Sequence, residues 1–71
     1  MTSDIPVRFG MVALEKGFIT FDQLPEALTV QDREDAEGKP HRRIGEILIA
    51  LGYMKPSQVQ VVLWELANGR E

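Results

Sequence analysis

The chain has 71 residues, about half the length of a typical domain, so we expect a single small domain over residues 1–71. It has no cysteine and one histidine, His41, which excludes disulfide bonds, cysteine-ligated metals and histidine-cluster metal sites. The net charge of −3 argues against general nucleic-acid binding. The sequence lacks the run of ~18 apolar residues that a membrane span needs and has no visible secretory signal. We therefore expect a cytoplasmic protein without membrane insertion.

Two segments of the chain, residues 8–31 and 43–66, match each other without a gap at a constant offset of 35 residues. The identical pairs are Arg8 and Arg43, Gly10 and Gly45, Gly17 and Gly52, Gln23 and Gln58, and Leu28 and Leu63. Apolar residues also match apolar residues between these positions. An ungapped match of this kind indicates an internal duplication, and hence two repeated structural units.

The first helix of each repeat is predicted from apolar residues spaced i, i+3 and i+4, which lie on one helix face. Gly17 and Gly52 end these helices, because glycine adopts the left-handed conformation of a helix C-terminus at little cost. The apolar residues are Phe9, Val12 and Ala13 in the first repeat and Ile44, Ile47, Leu48 and Leu51 in the second.

The second helix of the first repeat has two possible starts. Thr20 and Gln23 have the spacing of a capping box, in which each side chain accepts a hydrogen bond from a backbone N–H. With Asp22 as the N-cap instead, Pro25 falls in the first turn, where its missing N–H costs nothing. We favour the start at Asp22. In the second repeat, Pro56 suits the first helical position.

The final helix carries an apolar stripe of Val59, Val62, Leu63 and Leu66. By β-propensity, residues 47–49 and 59–63 could instead be strands. The helical period and the two glycine stops favour helices. We therefore predict an all-α fold, a small four-helix domain made of two tandem helix–turn–helix repeats.

The segment 32–42 between the repeats is polar throughout, and we predict a solvated loop there. The alternative is that Lys39, His41 and Arg42 form a basic lip that contacts an anion.

Arg8 and Arg43 each stand just before a predicted helix and two residues before a glycine. An arginine beside the free N–H groups of a helix start can bind an anion, and arginine can also pair with guanine O6 and N7. The alternative is that Arg42 and Arg43 pair locally with Glu46, while the glycines only allow close helix packing.

Trp64 and Val61 lie off the main stripe of the final helix. They either form the edge of the core or are exposed anchors for a partner protein or a second copy of the chain.

The sequence offers little for catalysis. It has no phosphate-binding G-x-x-x-x-G-K-[ST] motif, no cysteine nucleophile and no paired carboxylates in an apolar setting. We expect a protein that is not an enzyme and has no metal and no cofactor. We also expect no DNA binding, because the final helix has no Lys or Arg before Arg70.

The repeated pattern, R-x-G followed by an apolar helix, a glycine and a second helix that closes on glutamine, resembles the N-terminal domain of type II secretion and type IV pilus extension ATPases of bacteria. It is most similar to the MshE-type domain, which binds cyclic di-GMP through two such motifs. The resemblance covers residues 8–31 and 43–66. It implies a regulatory binding module with cyclic di-GMP as its ligand or, alternatively, an adaptor that docks a secretion, pilus or signalling partner.

The resemblance also implies which residues contact the ligand. The chain departs from the family pattern in three ways: Leu66 stands at the closing glutamine of the second motif, Phe9 replaces a leucine, and the spacer is longer. The implied ligand residues are Arg8, Phe9, Gly10, Leu14 and Gln31 in the first motif and Arg43, Ile44, Gly45 and Ile49 in the second.

Overall fold

The structure is a computed structural model that describes residues 5–68. It contains four helices, α1 (Ile5–Glu15), α2 (Gln23–Ala36), α3 (Ile44–Ala50) and α4 (Pro56–Ala67). Residues 5–68 include no strand, so the all-α prediction is confirmed and the strand alternative for residues 47–49 and 59–63 is wrong. No helix in this part of the chain has the length and apolar character to cross a membrane.

Helix α1 begins earlier than the apolar stripe predicts. Its second residue is Pro6, which fits a first helical turn because the N–H groups there have no helical partner. Arg8 is therefore the fourth residue of α1, and the prediction that it precedes the helix is wrong. Arg43, in contrast, is the N-cap residue of α3, as predicted.

Three helices end on a glycine with positive φ, at Gly17, Gly38 and Gly52 (+76°, +78° and +83°). In each case the residue after the glycine donates its N–H to a carbonyl in the last helical turn, the hydrogen bond of a Schellman motif. These bonds are Phe18 N to Ala13 O (2.9 Å), Lys39 N to Glu34 O (3.0 Å) and Tyr53 N to Leu48 O (2.9 Å). The predicted stops at Gly17 and Gly52 are thus confirmed.

The stop at Gly38 corrects the prediction of a loop over 32–42. Residues 32–36 form the last part of α2, and only the segment after Ala36 is a connection. Residues 32–36 are polar because they lie mostly on the solvent-exposed side of α2, and the predicted solvated loop is limited to the residues after Ala36.

Both predicted starts of α2 contribute to the structure. Asp22 is the N-cap, and Pro25 lies in the first turn, as favoured. Asp22 makes no capping hydrogen bond with its side chain. The capping-box bonds form between Thr20 and Gln23 instead, with Thr20 N donating to Gln23 Oε1 (2.9 Å) and Gln23 N to Thr20 Oγ1 (3.3 Å). In α4, Lys55 N donates to Gln58 Oε1 at the same distance of 2.9 Å.

The apolar faces of the helices meet in one core. The most extensive packing joins α2 to α3 and α1 to α4, so it crosses between the two repeats. Each half of the chain therefore packs more extensively against the other half than within itself. The buried apolar residues are Phe9, Val12, Ala13, Ile19, Leu24, Ala27, Ile44, Ile47, Leu48, Met54 and Val62.

Candidate functional site

Four of the predicted ligand residues lie in the core. Phe9 (2 % exposed), Gly10, Ile44 and Gly45 are buried among the helices. A Cβ atom added to Gly45 would lie 3.2 Å from Phe9 Cζ, so the structure brings the two motifs together inside the protein. In this conformation these residues form packing contacts and present no surface to a ligand.

The two glycines of the motifs mark close approaches between helices. A Cβ added to Gly10 would lie 2.3 Å from Leu24 Cδ1, and one added to Gly45 would lie 3.1 Å from Val59 Cγ1. Leu24 and Val59 are 35 residues apart, the offset of the repeats. The same contact therefore recurs in both halves of the chain and supports the alternative in which the glycines serve close packing.

The remaining predicted residues, apart from Gln31, reach the surface to different degrees. Arg8 and Arg43 are exposed, whereas Leu14 and Ile49 are half-buried. Within residues 5–68, Arg8 has no ion pair. The backbone N–H of Arg43 donates to Glu46 Oε1 (2.9 Å). The structure does not bring the two arginines into one site by any contact.

Gln31 is buried (6 % exposed) and connects α2 to the segment that precedes α3. Its Nε2 donates to the backbone oxygen of Arg42 (3.0 Å). Gln31 also lines a surface cleft of about 540 Å³ beside the first turn of α1. The other residues around this cleft are Pro6, Val7, Leu28, Asp32, Asp35 and His41.

The basic residues of the connection each face a carboxylate. Arg42 forms a bidentate pair with Glu34, with Nε 3.0 Å from Oε1 and Nη2 2.6 Å from Oε2. His41 Nδ1 lies 3.0 Å from Asp35 Oδ1, and Lys39 pairs with Glu37. Arg42 therefore pairs with Glu34 and makes no ion pair with Glu46, which acts on it only as a nearby charge. The side chains of the predicted lip face carboxylates of α2 and of Glu37, its C-cap residue.

Two side-chain hydrogen bonds, one of them between Arg42 and Glu34, shift the pKa of a residue they join. The hydrogen bond from Arg42 lowers the pKa of Glu34, because it stabilises the carboxylate, and this effect exceeds the opposing effect of desolvation. Tyr53 Oη donates to Glu26 Oε1 (2.7 Å), and this bond raises the pKa of Tyr53 because the neutral phenol is the donor. Sequence spacing does not predict either pair.

The outer face of α4 carries three exposed apolar side chains beside the exposed polar residues Ser57 and Gln60. Trp64 is 66 % exposed, Val61 43 % and Leu63 39 %, whereas Val59, Val62 and Leu66 pack against the core. Trp64 is thus an exposed side chain and not a core-edge residue, and the prediction that places Leu63 in the buried stripe is wrong.

The outer face of α4 also lacks charge. Glu65 is the only charged residue of α4, and it pairs with Lys16 of the segment that follows α1. A surface helix normally carries charged residues opposite its buried stripe. We refer below to Val61, Leu63 and Trp64 as the α4 patch.

Comparison with known proteins adds no relative. No protein family, curated protein or solved structure matches the chain. Residues 5–68 also hold no group of histidine and acidic side chains that could bind a metal ion. Within residues 5–68, three surface features stand out: the α4 patch, the cleft beside Gln31, and the exposed Arg8, which has no ion pair in this part of the chain.

Proposed function

We propose that this chain is a non-catalytic docking module that binds a partner protein through the α4 patch. The exposed Trp64 on an uncharged helix face carries the proposal. Large apolar side chains exposed on a rigid element are typical of protein interfaces, and tryptophan is among the residues that dominate binding energy. The mode is that of a helix presenting its face to an apolar groove of the partner.

The exposed surface of Trp64 sets the size of the expected effect. Two thirds of a tryptophan side chain is roughly 150 Å². Its burial is worth about 4 kcal/mol before the costs of association are subtracted. Replacing a dominant interface residue of this kind by alanine lowers the binding free energy of the complex by at least about 2 kcal/mol, which is about a 30-fold loss of affinity.

The experiment measures the emission of Trp64, the only tryptophan of the chain. A secretion, pilus or signalling protein encoded beside this chain is titrated into it, and binding should shift the emission to shorter wavelength. Trp64→Ala, followed by calorimetry, should lose about 30-fold in affinity. Phe21→Ala is the matched control, because Phe21 is exposed (79 %) but lies in the turn before α2. Equal affinities for the Trp64 variant and the original chain would contradict the proposal.

Cyclic di-GMP binding is the second candidate, and the surface part of the first motif supports it. Arg8 is exposed and has no ion pair within residues 5–68, so it is available to a phosphate. Gln31 lines the cleft beside the first turn of α1. The resemblance to the MshE-type domain assigns both residues to the ligand, whereas Leu66 replaces the closing glutamine of the second motif.

Calorimetric titration with cyclic di-GMP tests this candidate. Protein at about 100 μM is well above the micromolar Kd that corresponds to about −8 kcal/mol, so the absence of heat would reject it. Arg8→Ala should weaken binding, and Leu66→Gln should strengthen it by restoring the second motif. A Trp64 shift with a partner protein but not with nucleotide favours docking.

A further inference from the structure

The internal repeat provides a comparison for the outer face of α4, because α2 occupies the corresponding place in the first half of the chain. Over residues 22–33 and 57–68, six corresponding positions are exposed in both halves. In the first half these are Asp22, Pro25, Glu26, Thr29, Asp32 and Arg33. In the second half they are Ser57, Gln60, Val61, Trp64, Ala67 and Asn68. Four of the six residues are charged in the first half, and none is charged in the second.

The exposed residues of the second half lie on one side of α4, because their spacing follows the helical period. The fold does not require this side to be uncharged, since the corresponding side of α2 carries charges. Val61 takes the place of Glu26, and Trp64 takes the place of Thr29. Of these two related helices, only α4 presents an uncharged exposed side with a large apolar residue near its middle, which is typical of a contact surface.

We infer that the α4 patch binds the α4 patch of a second copy of this chain, in a two-fold symmetric pair of antiparallel helices. The inference rests on the proposed function, in which the same patch docks a partner protein, and it adds a regulation of that site. In a two-fold contact, residues near the symmetry axis lie close to their own copies, so a face with a net charge repels itself. The exposed side of α4 avoids this repulsion, whereas that of α2 is net negative.

The middle of the exposed side of α4 lies between Val61 and Trp64. Antiparallel packing about this point sets Trp64 of one copy against Val61 of the other, and the symmetry axis repeats the contact. Gln60 and Ser57 then lie further from the axis and form a polar rim. The pair therefore has the apolar centre and polar edge that protein interfaces share.

The exposed apolar area of the patch sets the strength of this pair. Trp64 offers roughly 150 Å², and Val61 and Leu63 add roughly 50 Å² each. Because apolar atoms make up about 60 % of a typical interface, each copy buries roughly 400 Å² in total. The pair thus buries about 800 Å², which is less than the ~1,200 Å² of a stable specific complex. We therefore expect a reversible dimer with a Kd of roughly 0.1–1 mM.

Such a dimer regulates access to the α4 patch. The patch of each copy is covered in the dimer, so a partner protein binds only the monomer. The partner then shifts the equilibrium toward monomer by mass action. At chain concentrations above the dimer Kd, the apparent affinity for the partner should fall.

The test is sedimentation equilibrium of the full chain between about 10 μM and about 1 mM, a range that reaches the expected Kd. The mean mass should rise from that of a monomer toward that of a dimer. Because each copy has a net charge of −3, raising the salt concentration should strengthen the association by screening the repulsion between copies. A contact made of ion pairs between charged helix faces would weaken with salt instead, and that result would overturn the inference.

Charges placed at Val61 test the symmetry of the contact. Val61→Glu and Val61→Lys should each weaken self-association by at least about tenfold, because two like charges then lie near the axis. An equimolar mixture of the two variants should associate at least about fivefold more tightly than either alone, since a carboxylate of one copy faces an ammonium of the other. Thr29→Glu is the matched control, because it adds the same charge to the exposed side of α2 and should leave self-association unchanged.

Circular dichroism shows that each variant is folded, which the exposure of Val61 and Thr29 leads us to expect. A chain that stays monomeric up to about 1 mM would overturn the inference, as would an oligomer larger than the dimer at which a two-fold contact closes. Equal association of Val61→Glu and the original chain, equal losses in Val61→Glu and Thr29→Glu, or a mixture no tighter than its components would overturn it as well.

The titration of a partner protein distinguishes this inference from the proposed function. A monomeric chain that loses affinity for its partner in Trp64→Ala would overturn the self-pairing and support the docking role. A chain that dimerises through Val61 but binds no partner would support the self-pairing and reject the docking role, together with its regulation.

Discussion

Replacement of Gly10 by alanine separates the packing role of the motif glycines from a ligand-binding role. The added Cβ of Gly10→Ala would lie 2.3 Å and 2.6 Å from the two methyl carbons of Leu24 and 3.0 Å from its Cγ. Leu24 is buried, so its whole isobutyl group must move within a filled core. Such overpacking costs about 1–3 kcal/mol, whereas the better helix propensity of alanine returns about 1 kcal/mol.

Because two Leu24 carbons would lie closer than 3.0 Å to the new Cβ, we expect a packing cost in the upper part of this range, about 2–3 kcal/mol. The net loss expected for Gly10→Ala is therefore about 1–2 kcal/mol in the free energy of unfolding. Gly45→Ala is the matched comparison, because its Cβ would lie 3.1 Å from Val59 Cγ1 and 3.2 Å from Phe9 Cζ. The half-buried Val59 can move by a few tenths of an ångström, so the packing cost and the propensity gain should nearly cancel.

The measurement is thermal unfolding followed by circular dichroism at 222 nm. In a domain of this size 1 kcal/mol corresponds to about 4–8 °C in Tm. Gly10→Ala should lower Tm clearly more than Gly45→Ala. A Gly10→Ala variant as stable as the original chain would refute the packing argument, and it would return the glycine to the ligand-binding interpretation.

Three further predictions concern stability. Leu48→Ala should lower the free energy of unfolding by about 2–5 kcal/mol because Leu48 is fully buried, whereas Leu63→Ala on the exposed α4 patch should lower it much less. Urea unfolding of the two variants measures the difference, and similar losses would contradict the assigned core. Gly17→Ala should lower the free energy of unfolding by about 1–2 kcal/mol in the same assay, because a φ of +76° strains an L-residue. The loss would not come from a clash, since a Cβ at this position would meet no atom within 4 Å. An unchanged urea midpoint would argue against the Schellman cap. The pKa of Glu34 is lowered in the folded state, so its ionised carboxylate stabilises the fold above the ordinary pKa of 4.5, and this stabilisation is lost as the pH falls through the folded-state pKa. The free energy of unfolding of Glu34→Gln should therefore fall less between pH 7 and 3 than that of the original chain, and equal losses would contradict the role of the Arg42 pair.

The sequence by itself determined the local structure of this protein. The apolar period of 3.6 residues predicts helices around Phe9 and Ile47, and Gly17 and Gly52 mark their ends, because helix formation and a positive φ depend on neighbouring residues alone. The start of α2 at Asp22 followed in the same way. The predicted loop over residues 32–42 was wrong at its start, because the end of α2 is marked by Gly38 and not by the polar run 32–36.

Only the tertiary structure decided which residues are available for binding. Phe9 and Gly45 carry a motif that resembles a nucleotide site, yet the crossing of α1 and α3 buries them against each other. Trp64 is exposed because α4 offers a face of limited width to the core, and Val59, Val62 and Leu66 already fill it. The cleft beside Gln31 and the pairing of Arg42 with Glu34 depend on how the chain returns from α2 to α3. Helix crossing and chain return are set by long-range packing, which no local pattern encodes.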